Sequence, residues 1–348
     1  MKSTKIFTVR TFIPFLISLI GVFLMVLIPH IKIGVSRLVS PEAGKIDILE
    51  KIKPKLEQKQ DHFQLKKSII PTVSAQSDYE GAKAYGAIDF NTGEVIASKN
   101  LSSRIPIASL TKIMTAIVAL DLANLDEVFT VSALASSQVP TKVMLKEGEK
   151  YSLEQLLDSM LISSANDSAQ VIKEGIDRKY GQAVFVNAMN AKAQILGLKN
   201  THFTNAQGYD NADHFSSIED LAILAHYAME KYPSFVQIVG KDFLDLTHNF
   251  SDLRFYLNNW NGLLGVYPGV YGIKIGNTAE AGICTIVLSE REGKKILAVV
   301  LGAPGTVQRD LWASELLDLG FSKIAGLSSV NVTEQQLREK YASWKYFN

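Results

Sequence analysis

The chain contains very little cysteine: one residue, Cys284, among 348. A single thiol excludes an intramolecular disulfide and a cysteine-based zinc site. Because Cys284 lies in the apolar run 283–288, we predict that it is buried as a small hydrophobic side chain. Histidine is also scarce, and none of the six histidines forms the His-x-x-x-His pair of a helical zinc site. The sequence therefore predicts neither a metal site nor a cofactor.

The chain also lacks an excess of charge of either sign. Lysine and arginine together number 36, and aspartate and glutamate 35, which gives a formal net charge of +1. Many nucleic-acid-binding proteins have basic stretches with aromatic residues between the charges, but the lysine-rich stretches of this chain are not interleaved in this way. We therefore expect no nucleic-acid partner. The length is sufficient for one large domain or two smaller ones.

One long apolar run is present, over residues 12–28, and Lys2, Lys5 and Arg10 precede it. Its length is at the short end for a membrane-spanning helix and slightly beyond a typical signal-peptide core. The leading cations favour an N-terminus on the inner side of the membrane. We predict an uncleaved signal anchor over 1–31, a single pass that leaves the rest of the chain outside the cytoplasmic membrane. The alternative is a secretion signal that is cleaved.

The region that follows, residues 32–78, is rich in lysine and glutamine and is interrupted by three prolines. We predict a linker that leads away from the membrane, with a short helix around residues 46–56. The alternative is a small subdomain that packs on the main body. Beyond it we expect a folded domain over 79–325 and a peripheral tail over 326–348.

The order of the predicted elements indicates an α/β fold of the α+β type. The pattern predicts a β-hairpin with a glycine turn over 84–98 and a helix over 218–231 with Ser217 as its N-cap. Further strands and a last helix are predicted near the C-terminus, over 270–276, 282–289, 295–302 and 307–319. We expect one sheet built from both ends of the chain, flanked by helices, with an all-helical insertion.

The most informative motif is the Ser-Leu-Thr-Lys tetrad from Ser109 to Lys112, at the start of an apolar helical run. Positions i and i+3 lie on one face of a helix, so the hydroxyl and the amine can touch. A serine hydroxyl needs an adjacent base to become a nucleophile, and a lysine serves as that base when burial destabilises its ammonium. The alternative is that Ser109 only caps the helix.

Two further motifs complete a candidate site. Ser164 and Asn166 follow a buried apolar segment, where a hydroxyl can relay a proton and an amide can hold a substrate carbonyl or the lysine amine. Lys274 and Gly276 lie on a predicted strand, where the lysine can attract an anionic substrate terminus and the glycine permits close approach of a ligand. Each motif alone is weak, because both patterns also occur elsewhere in the chain.

In this order, Ser-x-x-Lys, Ser-x-Asn and Lys-x-Gly resemble the three motifs of the penicillin-recognising serine enzymes. The chain is most similar to the D-alanyl-D-alanine carboxypeptidases among the low-molecular-mass penicillin-binding proteins. Longer segments carry the same resemblance, over residues 104–116, 145–149, 161–169, 203–222 and 259–274. The resemblance implies a β-lactamase/transpeptidase-like antiparallel sheet flanked by helices, and it spans about 79–321.

The resemblance also implies a role for each motif residue. Ser109 would be the nucleophile, Lys112 its base and Ser164 a proton relay. The residues that would bind substrate are Asn166, Lys274, Gly276, Asn277 and Thr278. The backbone N–H groups of Ser109 and Asn277 would form the oxyanion hole. The implied substrate is a peptidoglycan stem peptide ending in D-Ala-D-Ala, and β-lactams would be covalent inhibitors.

Three departures from the family pattern matter. Ile275 replaces the threonine that is usual in the third motif, which removes a hydroxyl that would help to bind the substrate carboxylate. Loss of one hydrogen bond to a charged group costs about 1.5–3 kcal/mol, so weakened activity is expected. Tyr271 stands where an aspartate is common. We also expect no β-rich C-terminal domain, so that the N-terminal helix would be the membrane anchor.

Two alternatives follow from the same motifs. A class A β-lactamase would need a deacylating glutamate in a Glu-x-x-Leu-Asn pentad, and none lies between Ser164 and Lys274. A homologue that binds stem peptide or a cell-wall partner without turnover is supported by Ile275. His202 and His214 flank one loop and could border the cleft, although we expect them to be structural.

Overall fold

The computed structural model describes residues 50–57, 63–67, 78–246 and 253–345. The predicted anchor over 1–31 lies outside these residues. Within the described ranges, no helix is long and apolar enough to cross a membrane.

Six strands of the described residues form the main sheet: β1 (Lys66–Lys67), β2 (Ala84–Asp89), β3 (Glu94–Lys99), β8 (Val270–Thr278), β9 (Gly282–Arg291) and β10 (Lys294–Ala303). Their order in the sheet is β1-β3-β2-β10-β9-β8. Neighbouring strands are antiparallel, except that β1 pairs with β3 in parallel. Two small antiparallel pairs join β4 (Val128–Thr130) to β5 (Lys150–Ser152) and β6 (Phe243–Asp245) to β7 (Tyr256–Asn258). The predicted sheet, built from both ends of the chain, is confirmed.

Most helices lie in the sequence between β3 and β8. Others precede β1 or follow β10. The described helices are α1 (50–56), α2 (Lys112–Leu122), α3 (Ala133–Ser136), α4 (Leu153–Ile162), α5 (Asn166–Tyr180), α6 (Val184–Ile195), α7 (Ile218–Lys231), α8 (Pro233–Val239), α9 (Thr306–Ala325) and α10 (Glu334–Ala342). The predicted cap of α7 is present, because Ser217 accepts a hydrogen bond from the N–H of Asp220.

The central strand β10 packs against hydrophobic residues on both faces of the sheet. Leu297 and Val299 belong to the core on the side of the helical insertion, whereas Ile296 and Ala298 belong to the core beneath α9. Alternate residues of a strand point to opposite faces, so one apolar run serves both cores. Cys284 on β9 is fully buried in the first core, as predicted.

The linker predicted over 32–78 is wrong for its described parts, and the alternative of a packed segment holds there. Ile52 and Leu56 of α1 are buried in the main core. The carbonyl of Leu56 accepts a hydrogen bond of 2.7 Å from Lys192 Nζ, which is also paired with Asp121 at 2.9 Å. The side chains of both charged residues are inaccessible to solvent. A buried ammonium needs its donors satisfied, and the carbonyl of α1 meets that need.

The C-terminal tail is also more structured than predicted. Helix α9 continues to Ala325, where Gly326 in the left-handed conformation ends it. Thr333 then starts α10 with a capping box, and Leu337 of that helix is fully buried under α9. Tyr341 of the same helix donates to Asp310 and Lys340 pairs with Asp242, so α10 docks through contacts that give almost no amphipathic pattern.

Candidate active site

The nucleophile candidate lies in a tight turn that precedes a buried helix. Ser109 is the second residue of a 3-10 helix over Ala108–Thr111, and α2 begins at Lys112. Side chains three residues apart are eclipsed in a 3-10 helix. The Nζ atom of Lys112 therefore lies 2.8 Å from the Oγ atom of Ser109. The contact expected from the spacing is present.

Lys112 is completely buried and has two further partners. Its Nζ atom lies 2.8 Å from Oδ1 of Asn166 and 2.7 Å from the backbone oxygen of Gln207. Burial lowers the pKa of Lys112 well below its ordinary value, and the charge of Lys274 lowers it further, whereas Asp167 acts in the opposite direction. The surroundings of the amine thus favour its neutral form.

The turn that contains Ser109 is held in an uncommon backbone conformation. Ala108 has φ of 49°, in the left-handed region that residues with a Cβ atom rarely adopt. Gly208 packs directly on it, and a Cβ atom at position 208 would lie 1.9 Å from the Ala108 oxygen. The adjacent Gln207 is the residue whose carbonyl contacts Lys112, so this one loop supports both members of the pair.

The second motif lies between two helices. Helix α4 ends at Ile162 and α5 begins at Asn166, so Ser164 lies in the short connection between them. The amide nitrogen of Asn166 donates to the oxygen of Val139 at 3.0 Å, which directs its Oδ1 atom to Lys112. Ser164 is buried and also has a left-handed φ of 62°. Strain of this kind persists where the surrounding structure enforces it, often at functional sites.

The third motif lies on β8, against the turn that contains Ser109. A Cβ atom at position 276 would lie 2.9 Å from the backbone nitrogen of Ser109, so glycine is needed for this approach. Lys274 is buried, and its Nζ atom donates to the oxygen of Ile275 at 3.2 Å. Burial and, to a smaller extent, the nearby charge of Arg309 lower the pKa of Lys274 to about 7.

The two residues after this motif differ from each other. Asn277 is exposed, whereas Thr278 donates from its hydroxyl to Oδ1 of Asp210 at 2.5 Å. The other oxygen of Asp210 accepts from the N–H of Glu280 at 3.2 Å. The hydroxyl of Thr278, which we predicted to bind substrate, is thus engaged by Asp210.

The sequence reasoning missed several residues of this site. Gln207 contributes a backbone oxygen, for which no side-chain signal exists. Asp167 is fully buried and accepts from the N–H groups of Val143 and Leu145, which fixes the loop beside Asn166. Arg309 is buried near Lys274 and is held by Asp310 at 2.7 Å.

The two histidines of the loop have different surroundings. His214 is buried, with Nε2 2.7 Å from Oγ1 of Thr111. His202 uses Nδ1 to contact the oxygen of Asp213 at 2.6 Å. Over the described ranges, no group of three His, Cys, Asp or Glu side chains could hold a metal ion.

Comparison with known proteins gives one consistent result. The family of D-alanyl-D-alanine carboxypeptidases matches residues 71–305. The D-alanyl-D-alanine carboxypeptidase DacF of Bacillus subtilis is 36% identical over 248 residues, which are 70% of this chain and 62% of that relative. The chain thus spans less than two thirds of the length of this relative.

Solved structures share the fold. A DD-transpeptidase from Streptomyces is 30% identical, with a TM-score of 0.63, and the match covers 69% of this chain and 97% of that one. Penicillin-binding protein D2 from Listeria monocytogenes, solved with ampicillin bound, is 29% identical, with a TM-score of 0.61 and coverage of 69% and 97%. This chain belongs to the D-alanyl-D-alanine carboxypeptidase family, as the motifs predicted.

Proposed function

We propose that the protein is a serine-type D-Ala-D-Ala carboxypeptidase that acts on peptidoglycan stem peptides through an acyl-enzyme on Ser109. The observation that carries this proposal is the set of three partners around Lys112 Nζ. Two of them, Oδ1 of Asn166 and the oxygen of Gln207, can only accept hydrogen bonds. A neutral amine has two N–H groups, and these satisfy the two acceptors. Its lone pair is then left for the one partner that can donate, the hydroxyl of Ser109.

Acylation follows from this arrangement. Oγ of Ser109 attacks the carbonyl carbon of the penultimate D-Ala while Lys112 Nζ takes the hydroxyl proton. The C–N bond to the terminal D-Ala then breaks, and the leaving amine receives a proton. Water then attacks the ester carbonyl and the C–O bond to Ser109 breaks. Oγ of Ser109 regains a proton, and the shortened stem peptide leaves as a carboxylate. Ser164, beside Asn166, is the proposed relay for the proton to the leaving amine.

The strand β8 supplies the proposed electrostatic part of the site. The backbone N–H groups of Ser109 and Asn277 would stabilise the oxyanion, and the close approach of Gly276 to Ser109 supports this assignment. Lys274 would attract the terminal carboxylate. Because Ile275 offers no hydroxyl beside it, we propose that turnover is weaker than it would be with threonine at this position.

We also propose where the enzyme is located and what inhibits it. We infer that the chain is anchored in the bacterial cytoplasmic membrane by its N-terminal apolar run, with the catalytic domain outside, or is secreted after cleavage of that run. β-Lactams are proposed as covalent inhibitors, because the Listeria relative was solved with ampicillin bound. No nucleic acid, metal ion or cofactor is part of the proposed reaction.

The acyl-enzyme is tested by intact-protein mass spectrometry of the full chain with ampicillin. We expect one adduct of the antibiotic mass, mapped by peptide digestion to Ser109. The Ser109→Ala variant should show no adduct, whereas the control Ser322→Ala, at an exposed serine of α9, should react like the wild type. An adduct that persists in Ser109→Ala would refute the assignment. Adduct formation without D-alanine release from a stem peptide would support the binding homologue instead.

A further inference from the structure

A buried histidine, His214, contacts the turn that contains Ser109. Its hydrogen bonds indicate which ring nitrogen carries the hydrogen. Nδ1 of His214 lies 3.1 Å from the backbone nitrogen of Thr204, and Nε2 lies 2.7 Å from Oγ1 of Thr111. A backbone N–H can only donate, so Nδ1 is the acceptor. In a neutral imidazole the hydrogen is then on Nε2, which donates to the threonine hydroxyl.

The chain of hydrogen bonds continues to the strained residue before Ser109. The Thr111 hydroxyl accepts from His214 and donates in turn to the carbonyl of Ala108 at 2.8 Å. Ala108 is the residue with φ of 49°, a strained conformation that persists only where its surroundings enforce it. Thr111 itself lies between Ser109 and Lys112 in the sequence, so these hydrogen bonds also constrain the backbone that carries both residues.

We propose that His214 is a positioning residue for the acylation of Ser109. Its Nε2–H orients the Thr111 hydroxyl, which fixes the carbonyl of Ala108 and, through it, the backbone N–H and the Oγ atom of Ser109. This inference rests on the proposed function, because it concerns the rate at which Ser109 is acylated.

The charges around His214 agree with a neutral, donating imidazole. Burial, together with smaller effects of the charges of His202 and Lys112, lowers the pKa of His214 to about 4 against the opposing effect of Asp210. The ring therefore carries no charge at neutral pH, and its Nε2–H remains available as a donor to Thr111. His214 does not contact Ser109, so it acts through Thr111 and not on the substrate.

Two pairs of variants separate this role from simple packing. In His214→Gln the amide nitrogen replaces Nε2 and keeps the donor to Thr111. In His214→Asn the amide oxygen replaces Nδ1 and keeps the acceptor for Thr204, but the donor is lost. Thr111→Ser keeps the hydroxyl, whereas Thr111→Val removes it with almost no change in volume.

The measurement is the second-order rate of acylation of the full chain by a fluorescent penicillin, with the thermal unfolding midpoint of each variant. We expect His214→Asn and Thr111→Val to be acylated on the order of tenfold to a hundredfold more slowly, because a small misplacement of reacting atoms has such an effect. His214→Gln and Thr111→Ser should remain close to the wild-type rate. The double variant His214→Asn/Thr111→Val should be no slower than the slower single variant.

Several results would overturn the inference. Thr111→Val at the wild-type rate would do so, as would a His214→Gln variant as slow as His214→Asn. Rates that simply follow the unfolding midpoints would indicate packing alone. If the His214 variants do not fold, the comparison of Thr111→Val with Thr111→Ser decides. A wild-type protein that takes no label would contradict the proposed function itself, which separates the two failures.

Discussion

Gly276 packs so closely against Ser109 that no larger residue fits at position 276 without a shift of the backbone. A Cβ atom there would lie 2.9 Å from the nitrogen of Ser109 and 3.1 Å from the oxygen of Ile107. Both neighbours are backbone atoms, which cannot rotate away as a flexible side chain can. The approach of β8 to the turn thus depends on this glycine.

We expect Gly276→Ala to reduce acylation by roughly a hundredfold, the effect of removing one oxyanion donor, because β8 must move away from Ser109. The check is the rate of labelling by a fluorescent penicillin. Gly240→Ala is the control, since its Cβ atom would meet nothing closer than 3.3 Å. A Gly276→Ala variant labelled as fast as that control would contradict the account.

The pH dependence of turnover should report Lys274. Its pKa of about 7 means that it loses its proton as the pH rises through neutrality. Because the proposed partner is a carboxylate, only the protonated form attracts it, and kcat/KM should fall on the alkaline side of about pH 7. A Lys274→Arg variant stays protonated, since the pKa of arginine is above about 12.

The pH profile of D-alanine release checks this prediction for both forms. In Lys274→Arg the alkaline decline should move to higher pH. An identical decline in the two proteins would show that another group titrates.

The residue between Lys274 and Gly276 should set the level of activity. We expect Ile275→Thr to raise kcat/KM about tenfold to a hundredfold, because a hydrogen bond to a charged group contributes about 1.5–3 kcal/mol. The matched control is Ile275→Val, which has the shape of threonine without the hydroxyl. Steady-state kinetics on a stem pentapeptide distinguish them, and equal values for the two variants would refute a role for the hydroxyl.

Helix α1 (50–56) should contribute to the stability of the domain, although it precedes the residues that the family match covers. Leu56→Ala should lower the free energy of unfolding by about 2–5 kcal/mol, the usual range for a buried leucine. Lys53→Ala on the same helix changes an exposed side chain and should stay within about 0.5 kcal/mol of the wild type.

Denaturant unfolding of the full chain measures both variants of α1. Equal stabilities would mean that α1 does not pack on the domain in solution. In either case activity assays should use protein that retains this helix.

Local patterns predicted much of the structure. The hairpin and the C-terminal strands follow from alternation and glycine turns, and the contact of Ser109 with Lys112 follows from their spacing. Each of these signals lies within a few residues of sequence, where the chain geometry leaves little choice.

Contacts between distant segments could not be predicted in the same way. The oxygen of Gln207 that contacts Lys112 belongs to the backbone, and any residue type offers one. The bond between Thr278 and Asp210 joins positions 68 residues apart. The sequence predicts the short helix α1 but does not decide whether it packs on the main body, and it does not predict α10. In both helices few apolar side chains, such as Ile52 and Leu337, lie within polar sequence.

The most direct test of the account is release of D-alanine from a stem pentapeptide ending in D-Ala-D-Ala, measured with the full chain and with Ser109→Ala. The account predicts release by the wild type that is lost in the variant, which would establish a serine carboxypeptidase that tolerates Ile275. Release that continues in Ser109→Ala, or a folded wild-type protein that releases none, would contradict it.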